Sequence, residues 1–209
     1  ETNKARMLLK DARIGDLALD PVDKSLYGTR HENGYVSVVR IAPPYKDWQV
    51  LNTLPYGQVL TDLDISPDGS KLSASFEEIS SKQYLRVYSL EAVRAGKLDA
   101  LSQYDFGQAV PEGFVFSPDG KYLYGSFYYT GVSNLFRYEV ATGKTDAVTN
   151  AETGFFRPIP LGGDRLLALE YSGKGFVPTI IEAKPIEDVG AIEFLGSRIA
   201  EKHPIVKSW

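Results

Sequence analysis

The chain contains no cysteine, two histidines and one methionine in 209 residues. Without thiols it has no disulfides, no thiolate metal ligands and no cysteine nucleophile, although that alone does not fix its compartment. The histidines, His31 and His203, stand far apart, whereas a zinc site wants three or four N, S or O ligands. His31 falls in the polar stretch His31-Glu32-Asn33-Gly34 and His203 in the terminal tail, so both read as exposed loop residues. No Gly-x-Ser-x-Gly elbow is present to activate a serine. Positive charge is not in excess either: 23 Lys and Arg face 27 Asp and Glu, well mixed, for a net charge of -4. That excludes a basic stripe for nucleic acid or an anionic membrane surface. No apolar run approaches the roughly 20 residues of a spanning helix. There is no signal-like leader, and a chain opening at Glu1 reads as a mature or excised segment.

What the chain does have is repetition. Asp62-Leu63-Asp64-Ile65-Ser66-Pro67-Asp68-Gly69-Ser70-Lys71-Leu72 recurs as Gly113-Phe114-Val115-Phe116-Ser117-Pro118-Asp119-Gly120-Lys121-Tyr122-Leu123. Decayed copies run from Asp16 to Leu26 and from Pro158 to Leu166. The equivalent positions Leu26, Leu72, Leu123 and Leu166 lie 46, 51 and 43 residues apart. Such a period marks a stacked repeat, each unit burying its apolar face on the next. With 43% apolar residues the chain can build that core without staples.

Within the second copy, Leu60 to Ile65 alternates as a half-buried strand. Ser66-Pro67-Asp68-Gly69 then has the chemistry of a type I turn followed by a left-handed residue. Pro67 presets φ, Asp68 suits the second central position, and Gly69 accepts positive φ. Strands follow at 72–76, 84–90 and 101–106, with a short helix over 91–95 capped by Ser89. The third copy reads as 114–116, 122–128, 134–140 and 145–149, its turn built by Pro118, Asp119 and Gly120. The first reads as 17–19, 26–29, 35–41 and 48–54. The fourth reads as 158–159, 165–171, 176–182 and an outer strand at 191–195. Small residues at Ala74 and Gly125 fit the narrowing interior of radially packed sheets. Four short antiparallel strands per repeat predict an all-β chain, a β-propeller or partial propeller of about four four-stranded blades. The blades fall near 14–57, 58–109, 110–153 and 154–185. Residues 186–209 form the last outer strand or a short helix, then a linker tail.

The two Ser-Pro-Asp-Gly turns, with Lys71-Leu72 and Lys121-Tyr122-Leu123 after them, resemble the TolB-like β-propeller repeat family. The resemblance is close over roughly residues 60–149 and loose elsewhere, since Asp20-Pro21-Val22-Asp23 lacks the Gly and Leu161-Gly162-Gly163 lacks the Pro-Asp. It implies a propeller of six to eight blades, of which this chain is a piece. It also implies a periplasmic or envelope setting in a larger bacterial protein. It is nearly silent on chemistry.

Catalysis finds no residues to carry it. Asp62, Asp64 and Asp68 fail calcium-loop spacing, because the sixth and twelfth positions are Pro67 and Ser73 instead of Gly and Glu. Asp62 and Asp64 read as polar residues on an exposed strand face. Glu77-Glu78 and Glu187-Asp188 are solvated loop pairs with no sugar-binding pocket around them. Gly173-Lys174-Gly175-Phe176 is a hairpin tip, not a phosphate loop. Neither a metal nor a cofactor is expected. Aromatics are the remaining signal. Tyr128 and Tyr129 alternate to opposite faces, so one of them reaches the surface, and with Phe155, Phe156 and Arg157 it can form an interface anchor. The reading is a non-catalytic scaffold that binds a protein partner, a ligand or further domains of its parent chain. The alternative is the propeller of a prolyl oligopeptidase-like peptidase, gating a hydrolase domain outside this segment.

Overall fold

The structure, a computed structural model, describes residue 5 and residues 7–128 and 131–186. Four antiparallel sheets follow one another along the chain, each built from consecutive hairpins. Blade 1 comprises β1 (Ile14–Leu19), β2 (Leu26–Glu32), β3 (Tyr35–Ile41) and β4 (Gln49–Thr53). Blade 2 comprises β5 (Val59–Ile65), β6 (Lys71–Glu77), β7 (Gln83–Ser89) and β8 (Ala100–Gly107), with helix α1 (Leu90–Arg94) before its last strand. Blade 3 comprises β9 (Glu112–Phe116), β10 (Tyr122–Tyr128), β11 (Ser133–Glu139) and β12 (Thr145–Ala147). Blade 4 shows three strands among the described residues: β13 (Phe155–Pro160), β14 (Arg165–Ser172) and β15 (Gly175–Glu182). The outer strand expected at 191–195, and the helix, tail, His203 and Glu187-Asp188 with it, lie outside the described residues.

The turns show why the repeat carries its signature. In blade 2 the Gly69 amide donates to the Ser66 carbonyl (2.8 Å) across Pro67 and Asp68, and Gly69 takes φ 68°. Blade 3 repeats this at Gly120, φ 69°. Asp68 accepts from the Ser66 hydroxyl (2.6 Å) and the Ser70 amide (3.0 Å), as Asp119 does from Ser117 (2.6 Å) and Lys121 (3.1 Å). Blade 1, lacking the glycine, keeps a loop of the same length but closes its turn one residue later, from the Lys24 amide to the Asp20 carbonyl (3.1 Å), and puts Lys24 at φ 62°. Ser89 caps α1 by accepting from the Ala92 amide (3.3 Å).

The first strands β1, β5, β9 and β13 touch in succession, while β4, β8 and β12 diverge outward, so the blades radiate from a common inner rim. Three apolar layers lie between consecutive blades. Tyr27 and Val38 of blade 1 meet Ile65, Leu72 and Tyr88 of blade 2. Leu85 and Val87 meet Phe116, Leu123 and Tyr138, and Leu135 meets Leu166 and Ala168. Each fully buried large apolar side chain contributes about 1.5–3 kcal/mol. Because a middle blade is covered on both faces, β6 and β10 are buried along almost their whole length instead of alternately. Gly125 is required by this packing, since a Cβ there would collide with the Phe114 ring.

Candidate functional site

Every first strand carries a β-bulge opposite its second strand, near residues 15–16, 62–63, 113–114 and 157–158. In blades 2, 3 and 4 the bulged residue is left-handed: Asp62 at φ 51°, Gly113 at φ 59° and Arg157 at φ 49°. Glycine tolerates this conformation, whereas arginine holds it at a cost of about 1–2 kcal/mol. Strain of this kind gathers at functional positions.

The bulges also join the blades. Asp16 accepts from the Asp62 amide (3.0 Å), and Asp62 in turn accepts from the Gly113 amide (3.1 Å). Asp64 accepts from the Phe116 amide (2.7 Å). Asp62 and Asp64 are therefore not the exposed strand carboxylates that alternation suggests. The neighbouring blade covers that face, and each carboxylate is half-buried against it. Burial pushes both above their ordinary value. The Gly113 amide and the Arg157 charge oppose this at Asp62, and the Phe116 and Ile65 amides oppose it at Asp64. The series stops at Gly113, which has no side chain to offer blade 4.

Arg157 thus stands at the inner rim, exposed, without an ion pair or hydrogen bond among the described residues. It lines a cleft of about 370 Å³ with Glu112, Phe156, Leu169 and Phe176. Tyr128, itself 49% exposed, meets Phe156 edge to face at 6.3 Å. Phe156 stacks edge to face on Phe176 (5.3 Å), and Phe176 touches Tyr171 (5.3 Å). Of the residues singled out from sequence, the structure gathers Tyr128, Phe156 and Arg157. Phe155 faces the other way, packed on the layer between blades 3 and 4, because alternation separates it from Phe156. Tyr129 lies outside the described residues. Phe176 and Tyr171 were missed; the two-residue hairpin at Gly173-Lys174, pairing Tyr171 with Phe176, was the available signal. His31 is exposed as expected, but it belongs to β2 instead of a loop.

No His/Asp/Glu cluster able to hold a metal occurs among the described residues, and no helix there is long and apolar enough to cross a membrane. At the level of sequence, no family model and no curated protein matches the chain. In three dimensions it is similar to TolB from Acinetobacter baumannii, with a TM-score of 0.67 at 14% identity over 88% of this chain and 45% of that one. The chain has the fold of a TolB-like β-propeller. A putative TolB from Agrobacterium tumefaciens aligns with a TM-score of 0.58 at 18% identity, over 84% of this chain and 57% of that one. The β-propeller domain of the Trilobed protease from Pyrococcus furiosus aligns with a TM-score of 0.55 at 12% identity, over 84% and 57%. The chain therefore spans about half the length of these propellers.

Proposed function

We propose that this propeller is a non-catalytic scaffold that docks a protein or peptide partner at the inner rim of blades 3 and 4, within a larger bacterial envelope or secreted protein. The observation that carries the reading is Arg157, held left-handed and exposed in an aromatic cleft, its charge felt by Asp62 but its guanidinium without a hydrogen bond or contact ion pair among the described residues. An exposed guanidinium beside Tyr128 and Phe156 suits a partner with a carboxylate and an apolar side chain. Tyr128→Ala combined with Arg157→Ala should abolish capture of one partner, identified by mass spectrometry from an envelope extract, while the thermal unfolding midpoint stays within a degree or two of the parent. If the pair unfolds the chain, or capture persists undiminished, the site is elsewhere. The second reading is the propeller of a prolyl oligopeptidase-like peptidase, supported by the likeness to a protease propeller domain. A nucleophile elbow encoded beside this segment would favour it.

A further inference from the structure

Equivalent junctions of the repeat do not all close alike. Between blades 1 and 2, Arg94 at the end of α1 enters the space beside the first turn. Its Nε donates to the Tyr27 hydroxyl at 2.7 Å, and its guanidinium pairs with Asp20 and Asp23. Leu90 and Val93 of the same helix are buried. Tyr27 follows Leu26 as Tyr124 follows Leu123, so the two phenols hold one place in the repeat.

Between blades 3 and 4 the same place is a cavity of about 360 Å³, within the size range of ligand pockets. Ala183 stands where blade 2 has Leu90: its amide donates to the Asp164 carbonyl (2.8 Å) as that of Leu90 donates to Ser70 (2.9 Å). Counting on from each, the sequence has Glu187 where blade 2 has Arg94, so blade 4 carries no cation at that position of the repeat. Tyr124 lines the cavity at 5% exposure, and its hydroxyl makes no hydrogen bond among the described residues. An enclosed hydroxyl without a partner is unfavourable, and a guest that meets it relieves the cost. Tyr122 stands beside it, ring centroids 6.1 Å apart, and Asp119 and Asp164 line the same space from opposite blades. Burial raises the Tyr124 hydroxyl above its ordinary value, the Arg137 charge opposes this, and Asp164 and Asp119 add to it. Arg137 is engaged with Asp146 (3.2 Å) and lies over the Tyr122 ring, while Lys121 meets Asp119 only as an exposed surface pair at 3.6 Å.

We propose that the cavity between blades 3 and 4 binds a guanidinium group from a small molecule or a polypeptide, as the junction of blades 1 and 2 binds that of Arg94. The Tyr124 hydroxyl accepts a guanidinium N–H, Asp164 and Asp119 balance the charge, and the Tyr122 ring offers a face for stacking. The carboxylates come from other positions than Asp20 and Asp23, whose places are held here by Ser117 and Gly120. An ammonium is the poorer guest, because a compact point charge lacks the planar fork that bridges a phenol and a carboxylate. Arg165 lines the same cavity, so its charge weakens the site. The cavity shares no residue with the Arg157 cleft, and neither reading depends on the other.

Amide NMR titrations of the chain with N-acetylargininamide and with its neutral citrulline counterpart test it. The arginine probe should shift the Tyr124, Asp164 and Leu166 amides to saturation while those of Phe156 and Phe176 stay still. The citrulline probe should bind about tenfold more weakly or worse. Tyr124→Phe, which keeps the ring, and Asp164→Asn, which keeps the shape at an exposed turn, should each weaken the arginine probe about fivefold with the thermal midpoint unchanged. Arg165→Gln should tighten it. A pentapeptide with one central arginine among glycines that binds about tenfold tighter assigns the guest to a polypeptide, and equal binding assigns it to a free guanidino compound. Shifts that never saturate, a citrulline probe that binds equally, or folded Tyr124→Phe and Asp164→Asn variants that bind as the parent does overturn the proposal.

Discussion

Gly69 and Gly120 share a turn and a left-handed backbone, yet their surroundings differ. A Cβ on Gly120 meets only the edge of Pro67 at 3.9 Å, whereas one on Gly69 comes within 2.7 Å of a Val22 methyl. Gly120→Ala should therefore cost the backbone term alone, about 1 kcal/mol, and Gly69→Ala more. Urea titrations of the two variants beside the parent would measure the difference, and equal losses would show that Val22 yields freely. The aspartate between each proline and glycine adds a dependence on acid. Hydrogen bonds from the Ser66 hydroxyl, then from Ser70, hold Asp68 down at about 2 from an ordinary 3.8. A lowered carboxylate stabilises the fold fully above pH 3.8 and loses that contribution as pH falls through about 2. Asp68→Asn should consequently destabilise at pH 7 and be nearly neutral at pH 2. A carboxyl carbon titration by NMR that gave Asp68 an ordinary midpoint would remove the basis for this.

Between blades the sign reverses. Asp64 is raised by burial, so its ionised form costs stability above the raised value and the cost is relieved as pH drops toward 3.8. Its value to the fold is the bond to the Phe116 amide. Asp64→Ala strands that buried donor and should cost about 1–3 kcal/mol, while Asp64→Asn keeps an acceptor without the charge and should recover most of it. Urea midpoints at pH 7 distinguish the two; an Asn variant as weak as Ala would mean that the charge, not the acceptor, is what the interface uses. Strands, turns and the Ser89 cap were legible in the sequence because they are set by local patterns: alternation, Pro-Asp-Gly order and a serine before an apolar run. The link from Asp64 to Phe116 spans 52 residues and depends on the register of a neighbouring sheet, which no local pattern contains. Alternation also assumes one wet face, and a middle blade has none. Phe155 and Phe156 show the converse. The alternation applied to Tyr128 and Tyr129 separates these two as well, while Phe176 joins the cluster only through a hairpin whose two sides must be paired first.

At the scale of the molecule, blades meet mainly their neighbours in sequence, an arrangement close to one-dimensional. One polar contact joins the first two blades alongside their apolar layer. Arg94, in the last turn of α1, reaches back to blade 1, where it pairs with Asp20 and donates to the Tyr27 hydroxyl at 2.7 Å. The Asp20 side chain is wholly enclosed. A buried carboxylate without its cation is strongly unfavourable, and here the cation lies 74 residues downstream. On a ribosome, at about 5–20 residues per second, that interval lasts about 4–15 seconds. Blade 1 should therefore emerge complete yet remain unsettled, closing only when α1 clears the exit tunnel. Nascent chains arrested before Arg94 has emerged should lose blade 1 to a protease, and chains arrested after it should keep it. Arg94→Met should erase the distinction if the ion pair is what settles blade 1; protection that persists in that variant would assign the effect to the apolar layer of blade 2 instead.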